Sequence, residues 1–198
     1  GRITIADPDR VDLSNLHRQI LFSDADVGKP KAEAAAAALR RANPDVRVEA
    51  LTQRVTAENA PGLFRGHDVV IEGSDSPETK FAANDAAVAL GIPIVIGGVV
   101  RFSGQVLAVL PGRSACYRCV FESPPAGEAE TCEAAGVLGA AAGVVGALMA
   151  VEAQKILLGI GPAAGGPMRV LDLLAGTERA VPWQRRPGCA ACGGMNGR

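Results

Sequence analysis

The stretch DVVIEGSDSPETKFAANDAAVALGIPIVIG, Asp68–Gly97, decides the fold class of this 198-residue chain. Its β-branched run Asp68–Glu72 is typical of a buried strand in a parallel sheet. Pro77–Leu90 is predicted to be a helix that ends at Gly91, because glycine readily adopts the left-handed conformation found just after a helix. The next apolar run, Pro93–Gly97, predicts a second buried strand. Strand, helix and strand in this order indicate a parallel α/β unit.

The same alternation continues on both sides of this unit. Strands are also predicted at Ile3–Ala6, Val46–Leu51, Gly104–Leu110, Met168–Leu173 and Glu178–Trp183, and helices at Pro30–Ala42 and Glu58–Arg65. The last strands alternate apolar and polar residues, which is typical of antiparallel pairing. We therefore expect an α/β fold with a Rossmann-like, doubly wound, mostly parallel sheet and an antiparallel extension, in a single domain over residues 1–198.

Composition excludes several classes of partner. The net charge is −1, so the chain carries no electrostatic signature of nucleic-acid or anionic-membrane binding. Aromatic residues make up only 4%, which argues against platforms for stacking bases. Hydrophobic residues at 48% and charged residues at 21% are ordinary for a globular enzyme.

The longest apolar stretch, Gly136–Val151, is interpreted as a buried helix. It is interrupted by several glycines and lies between Glu133 and Glu152, whereas a membrane span needs about 20 apolar residues. The chain opens on a strand-like run and shows no signal peptide. We therefore expect a cytoplasmic protein with no membrane contact.

Polar side chains crowd the segment DPDRVDLSNLHRQ, Asp7–Gln19, directly after the strand Ile3–Ala6. Ligands of doubly wound sheets bind beyond the carboxyl ends of the strands, and an acid at the end of the second strand commonly binds ribose hydroxyls. Asp7 fits that role by position. The tripeptide Asp-Pro-Asp is also a common turn sequence, so this tripeptide alone leaves both interpretations open.

Four of the five cysteines form two CxxC pairs, Cys116 with Cys119 and Cys189 with Cys192. Four thiolates suit a closed tetrahedral zinc site, which is structural because it has no vacant position for a substrate. The site would connect the end of the chain to its middle. A redox-active CxxC is the alternative, and the presence of two pairs favours zinc.

Several short motifs in a fixed order identify a family resemblance. They are SNLHRQ and SDADVGKPK after Asp7, EGSDS at Glu72–Ser76, CYRC at Cys116–Cys119 and PGCAAC at Pro187–Cys192. In this order and spacing they resemble the ThiF/MoeB/HesA family, the bacterial relatives of ubiquitin-activating enzymes. The resemblance extends from Ile3 to Gly193 and is specific as a combination.

The resemblance implies an ATP-dependent adenylyltransferase that activates the C-terminal glycine of a ubiquitin-like sulfur-carrier protein. It implies that Asp7 binds the ribose of ATP, with Asp9 and Asn15 lining the same pocket. Arg18 and Lys31 would face the phosphates, where adenylation develops negative charge. Asp75 would bind Mg²⁺, which prefers carboxylate oxygen.

Each of these residues also has an ordinary structural explanation. Lys31 can be a solvated lysine in the first turn of a helix, and Arg18 can form a surface ion pair. Asp75 can be the N-cap of the helix that begins at Pro77. Only the joint occurrence of the motifs favours the functional roles.

Cys132, in AETCEAAGV, stands apart from the two CxxC pairs. The resemblance places it at a cysteine that some members use for thioester, persulfide or acyl-disulfide chemistry, and we count it among the candidate catalytic residues with Arg18 and Asp75. A position near a helix N-terminus would favour the thiolate. The alternative is that Cys132 is a small buried side chain.

One feature of the family is lacking from this sequence. Relatives begin with a strand and a glycine-rich loop of GxGGxG type, which binds phosphates through backbone N–H groups. Here Gly1 already corresponds to the start of the family's second strand. Without a central strand the sheet is expected to have a gap with unpaired edges, and this chain is expected to be a fragment.

Two rival functions stay open at this point. A nicotinamide-dependent dehydrogenase shares the acid at the end of the second strand but needs neither Arg18, Lys31 nor four cysteines. A non-catalytic, zinc-stabilised module would bind a ubiquitin-like partner without activating it. The resemblance further implies a homodimer and a separate sulfurtransferase or cysteine desulfurase as sulfur donor.

Overall fold

The computed structural model describes residues 1–124, 136–161 and 165–194. The chain forms two compact units, Gly1–Val55 and Thr56–Arg198. Each unit has its own β-sheet, and the described strands are not hydrogen bonded into one continuous sheet. The predicted α/β class is confirmed in both units.

The first unit is a single βαβ unit. Strand β1, Arg2–Ala6, pairs in parallel with β2, Arg47–Leu51, and helix α1, Lys31–Ala42, connects them. Two short 3₁₀ helices, Leu13–Asn15 and Asp24–Asp26, lie between β1 and α1. The buried face of α1 consists of alanines, and these small side chains let the helix approach the strands closely.

The second unit is built on a mixed five-stranded sheet. Its strands, in sheet order, are β3 Val70–Glu72, β4 Ile94–Val100, β5 Ser103–Val109, β6 Met168–Asp172 and β7 Thr177–Val181. The first pair is parallel and the three others are antiparallel. The antiparallel extension predicted from the late strands is therefore confirmed.

Within its described residues, the second unit has four helices. They are α2 Ala60–Phe64, α3 Pro77–Leu90, α4 Tyr117–Val120 and α5 Gly139–Leu158. Helix α3 has the predicted ends: the Ser76 hydroxyl accepts a hydrogen bond from Thr79 N at 3.1 Å, and Gly91 follows with φ +70°. The cap is thus Ser76, and the alternative interpretation of Asp75 as the N-cap is wrong.

The core of this unit lies between the sheet and α5. Val145, Met149 and Ala153 of α5 pack with buried side chains of β4, β5 and β6. Gly97 permits this close approach, because a Cβ there would lie 2.2 Å from Met149 Sδ. The glycine in the PIVIG segment is therefore a packing requirement of the helix–sheet contact.

Two burial predictions are wrong. The segment Asp68–Glu72 was expected to be buried, but Ile71 is 52% exposed because β3 is an edge strand. Helix α5 buries one stripe of residues spaced four apart, while Val144, Val151 and Leu157 are exposed. The apolar character of α5 therefore exceeds what its contact with the sheet requires.

By length and composition alone, α5 is apolar enough to cross a bilayer, and it is the one such helix among the described residues. Core helices of soluble proteins pass the same test. In the structure, Val145 and Met149 of this helix pack against the sheet.

Candidate functional site

Asp7 begins the polar segment at the carboxyl end of β1. Its backbone N–H donates to Leu51 O at 3.1 Å, which extends the pairing of β1 with β2 by one residue. Its Oδ1 then accepts a hydrogen bond from Asp9 N at 2.8 Å. This is an Asx turn, and it fixes the Asp7 carboxylate where the chain leaves the sheet.

Lys31 is held beside this turn at the start of α1. Its backbone N–H donates to Asp9 O at 2.8 Å, and its Nζ contacts Asp9 Oδ2 at 3.2 Å. The Lys31 side chain is only 13% exposed, so the ammonium is positioned rather than freely solvated. The interpretation of Lys31 as a solvated first-turn lysine is therefore not supported.

The carboxyl of Asp7 is partly removed from water. Burial raises its pKa above the usual value, while the Asp9 N–H and the positive charge of Lys31 oppose that rise. The net shift is upward. The positive charge of Lys31 therefore favours the ionised form of Asp7.

The SNLHR segment forms a compact capped turn. Asp12 Oδ1 accepts from Ser14 N at 2.8 Å, and Asn15 Oδ1 accepts from Asp12 N at 3.4 Å. Asn15 is buried, so part of its function is to hold this turn. Arg18 donates from Nη1 to Ser14 O at 3.2 Å. Local hydrogen bonds thus orient a guanidinium that retains further donors.

Gln19 was not predicted from the sequence. Its Oε1 is buried and has no hydrogen-bond partner within the described part of the chain. A buried acceptor without a partner is unusual. Only the side-chain packing of the loop reveals it.

Asp75 belongs to the second unit and follows the end of β3. It is exposed, and it lies between Ser74 and the cap residue Ser76. Glu72 Oε1 accepts hydrogen bonds from both the N–H and the hydroxyl of Ser74. The carboxylate of Asp75 is therefore carried on a turn whose neighbours are fixed.

The four CxxC cysteines lie together in the second unit. Their Sγ atoms are all within 4.8 Å of one another, and Cys116, Cys189 and Cys192 are buried. The closest sulfur pairs are 3.4 Å (Cys119 to Cys192) and 3.6 Å (Cys116 to Cys189). A disulfide requires about 2.05 Å between sulfurs. The cluster is thus a set of four free thiols that could hold a metal ion.

Backbone groups also point at these sulfurs. Burial raises the pKa of Cys189, but the N–H groups of Cys192 and Ala191 and the neighbouring thiols outweigh it and bring the pKa to about 7. Arg186 N donates to Cys119 Sγ at 3.5 Å. Gly193 is required here, because a Cβ would lie 2.4 Å from Pro187 O. The loop is shaped around the sulfurs.

The cysteine cluster is tied to α3 by contacts that the sequence did not reveal. Asn84, which is fully buried, accepts a hydrogen bond from Tyr117 N at 2.9 Å. Arg118 forms an ion pair with Asp85 at 2.8 Å and lies over the Phe81 ring. The helix that follows Asp75 therefore also supports the first CxxC pair.

Cys132 lies outside the described residues, so its place relative to the other cysteines stays a prediction.

Arg101 adopts a left-handed backbone with φ +54° at the β4–β5 turn. Its N–H donates to Gly136 O at 2.9 Å, and its carbonyl accepts from Leu138 N. Arg101 thereby anchors the described residues just after the segment that contains Cys132.

Comparison with known proteins agrees with the sequence motifs. The model of the ThiF family matches residues 1–191. The chain belongs to the ThiF family. As a ThiF-family member it is 45% identical to the sulfur carrier protein adenylyltransferase of Thermus thermophilus, over 98% of this chain and 73% of that protein.

Other ThiF-family relatives are similar over nearly the whole chain. The SAMP-activating enzyme E1 of Haloferax volcanii is 42% identical, over 98% of this chain and 72% of that protein. The sulfur carrier protein ThiS adenylyltransferase of Escherichia coli K12 is 39% identical, over 99% of this chain and 78% of that protein.

Solved structures share the fold of this chain. The crystal structure of E. coli MccB with MccA-N7isoASN superposes with a TM-score of 0.85 at 22% identity, covering 98% of this chain and 60% of that one. PaaA has a TM-score of 0.68 at 21% identity, covering 94% and 57%. At such identities the likeness concerns the fold alone.

Proposed function

We propose that this chain is an ATP-dependent adenylyltransferase that activates the C-terminal glycine of a ubiquitin-like sulfur-carrier protein for thiocarboxylate formation. The observation that carries the proposal is the identity of 39–45% to relatives named as sulfur carrier protein adenylyltransferases, over at least 98% of the chain. The turn at Asp7, Asp9 and Lys31 supports it, because it presents a carboxylate and a cation at the end of a parallel strand.

In the proposed reaction, an oxygen of the carrier's terminal carboxylate attacks the α-phosphorus of MgATP. The bond from this phosphorus to the bridging oxygen breaks, and pyrophosphate leaves with that electron pair. The products are the carrier acyl-adenylate and pyrophosphate. Negative charge grows on the leaving group during this step, so fixed cations lower the barrier.

Arg18 and Lys31 are proposed to supply these cations. Arg18 offers a planar fork suited to two phosphate oxygens, whereas Lys31 acts as a point charge. In the structure Lys31 contacts Asp9 at 3.2 Å. A bound phosphate would compete with this carboxylate for the ammonium. Asp9 thus holds Lys31 in place before the nucleotide arrives.

Asp7 is proposed to accept hydrogen bonds from the ribose hydroxyls, with Asn15 supporting the adjoining wall. The role requires an ionised carboxylate, and the positive charge of Lys31 lowers the pKa that burial raises. Asp75 is proposed to bind the Mg²⁺ of the nucleotide through its exposed carboxylate. Mg²⁺ would neutralise phosphate charge and orient the leaving group.

The Lys31→Met substitution is expected to raise the KM for ATP about tenfold or more, because a charge-assisted contact to phosphate is lost. Loss of the cation also raises the pKa of Asp7 further, so the acid limb of the activity profile should move to higher pH. Carrier-dependent pyrophosphate exchange, measured against ATP concentration and pH, tests both effects.

Lys29→Met is the matched control for this variant. Lys29 lies two residues before Lys31 in the chain. It forms an ion pair with Asp26 at 2.9 Å, and the Lys29 side chain is 56% exposed. We expect wild-type KM and pH profile for Lys29→Met. Equal behaviour of the two variants would contradict the phosphate role of Lys31.

We propose that the cysteine cluster binds structural Zn²⁺. Tetrahedral Zn–S bonds of about 2.3 Å place sulfurs roughly 3.8 Å apart, and the closest sulfur pairs in the cluster are 3.4 to 4.0 Å apart. Zinc would hold the Cys189 loop against the segment that begins at Cys116. With four protein ligands it leaves no position for a substrate.

Partners follow from the same proposal. The carrier is proposed to contact the antiparallel part of the sheet, where β7 is exposed and is the edge strand among the described strands. A homodimer is proposed from the exposed apolar face of α5, which includes Val144, Val151 and Leu157.

A sulfurtransferase or cysteine desulfurase is proposed to supply the sulfur, with Cys132 as a candidate thiol. The reaction is proposed to take place in the cytoplasm.

Carrier-dependent ATP–pyrophosphate exchange tests the proposed function against its rivals. The experiment uses the full-length enzyme with its carrier, and a carrier lacking its last glycine as the control. Exchange with the intact carrier alone is the expected result. Reduction of NAD would support the dehydrogenase, whereas carrier binding without exchange would support the non-catalytic module.

A further inference from the structure

Glu72 and Lys80 form a buried ion pair that the proposed reaction does not use. Their exposed fractions are 6% and 8%, and Lys80 Nζ lies 2.6 Å from Glu72 Oε2. Such a pair adds little net stability, because removing two charges from water offsets their attraction. Its presence in the interior therefore points to a role other than stability.

Lys80 joins three elements of the second unit. It lies on α3, contacts the carboxylate at the end of β3, and also donates to Gly97 O of β4 at 2.7 Å. The pairing of β3 with β4 ends at Glu72 and Ile96. The carbonyl of Gly97 thus lies one residue beyond the paired segment, and the ammonium of Lys80 supplies its donor.

The other oxygen of Glu72 holds the turn that follows β3. Oε1 accepts from Ser74 N at 2.9 Å and from the Ser74 hydroxyl. Asp75 is the next residue, and Ser76 after it is fixed as the cap of α3. The backbone on both sides of Asp75 is therefore anchored, on one side by the buried pair.

We infer that Glu72 and Lys80 are positioning residues that fix the Gly73–Asp75 turn and so set the place of the Asp75 carboxylate for magnesium. The inference rests on the proposed function. The pair acts through the turn and touches no substrate. Small displacements of a positioned group can cost one to two orders of magnitude in rate, so the turn is the point at which the pair affects catalysis.

Lys80→Met tests the inference in the full-length enzyme with its carrier. We expect the Mg²⁺ concentration for half-maximal pyrophosphate exchange to rise about tenfold. Hydrogen exchange at Ser74 N–H, followed by mass spectrometry or NMR, should accelerate because its acceptor is released. A merely structural pair would lower stability without altering the Mg²⁺ requirement.

Two further variants make the test decisive. The double variant Glu72→Gln/Lys80→Met leaves no unpaired buried charge, and it replaces the single variant if that one does not fold. Lys155→Met is the matched control, since Lys155 forms a different ion pair, with Glu152 at 2.9 Å within α5. It should keep the wild-type Mg²⁺ requirement and Ser74 protection.

The outcomes separate the inference from the proposed function. Two results would overturn the inference if the wild-type enzyme still catalyses pyrophosphate exchange. One is unchanged hydrogen-exchange protection of Ser74 in the variant. The other is an unchanged Mg²⁺ requirement in a folded variant whose turn has loosened. Absence of exchange in the wild-type enzyme overturns the proposed function first, and the inference falls with it. The inference is supported if the variant shows both faster hydrogen exchange at Ser74 and a higher Mg²⁺ requirement, and Lys155→Met shows neither.

Discussion

Asp75→Asn is expected to reduce carrier-dependent adenylation by about 10²-fold or more, with the fold intact. The substitution keeps the size of the side chain but removes the negative charge proposed to bind Mg²⁺, and metal stabilisation of phosphate charge is worth several kcal/mol. Asp75 is exposed and does not cap α3, so stability should change little. Pyrophosphate exchange and thermal melting measure the two effects separately.

Asp68→Asn is the matched control for this experiment. Asp68 is exposed and lies just before β3, at the opposite end of the strand from Asp75. Asp68→Asn therefore removes one negative charge beside the same strand, but at the end away from the turn that carries Asp75. Normal exchange in the Asp75→Asn enzyme, or an equal loss in both variants, would contradict the magnesium role.

Cys189→Ser is expected to lose the bound metal and to lower the melting temperature by roughly 10 °C, equivalent to about 3 kcal/mol in a unit of this size. Cys189 is buried among the other three sulfurs, and a serine hydroxyl is a poor substitute for thiolate at zinc. Metal content by mass spectrometry and a thermal melt of the same sample test this.

Ala190→Ser is the control for the cysteine variant. Ala190 is exposed and adjacent to Cys189. Its replacement by serine introduces the same hydroxyl without removing a metal ligand. It should retain the metal and the wild-type melting temperature. Chelator treatment of wild-type protein should reproduce the Cys189→Ser melt. An unchanged melting temperature and metal content in Cys189→Ser would refute the structural site.

The strands and helices follow closely from local patterns in the sequence. The helix Pro77–Leu90 follows the capping residue Ser76, begins with a proline and is followed by Gly91, and the observed helix has the predicted bounds. Antiparallel pairing of the last strands was also predicted from their alternating residues, and the structure confirms it for β6 and β7. Such signals are local, so tertiary packing does not alter them.

Burial was less predictable, because it depends on which elements become neighbours. The β-branched run of β3 indicates a buried strand, yet Ile71 is exposed on a sheet edge. Helix α5 is mostly apolar, but one stripe of it, which includes Val145 and Met149, is buried against the sheet. An apolar composition indicates that a segment tends to be buried, but it does not specify which helix or strand covers it.

The candidate site was partly predictable. The sequence indicated Asp7, Lys31 and the four cysteines, and the structure places Lys31 at the Asp7 turn and gathers the cysteines in one cluster. The Glu72–Lys80 pair was missed, since residues eight apart in sequence meet only through the geometry of β3 and α3. A buried lysine resembles a surface lysine until the packing is known.

The most direct test of the account is to look for the carrier acyl-adenylate itself. The full-length enzyme, MgATP and the carrier are mixed, quenched in acid and examined by intact-protein mass spectrometry. The account predicts a carrier that gains the mass of AMP less one water, and no gain in a carrier lacking its terminal glycine. Unmodified carrier, in a reaction where a known carrier-activating enzyme forms the adduct, would contradict adenylation by this protein.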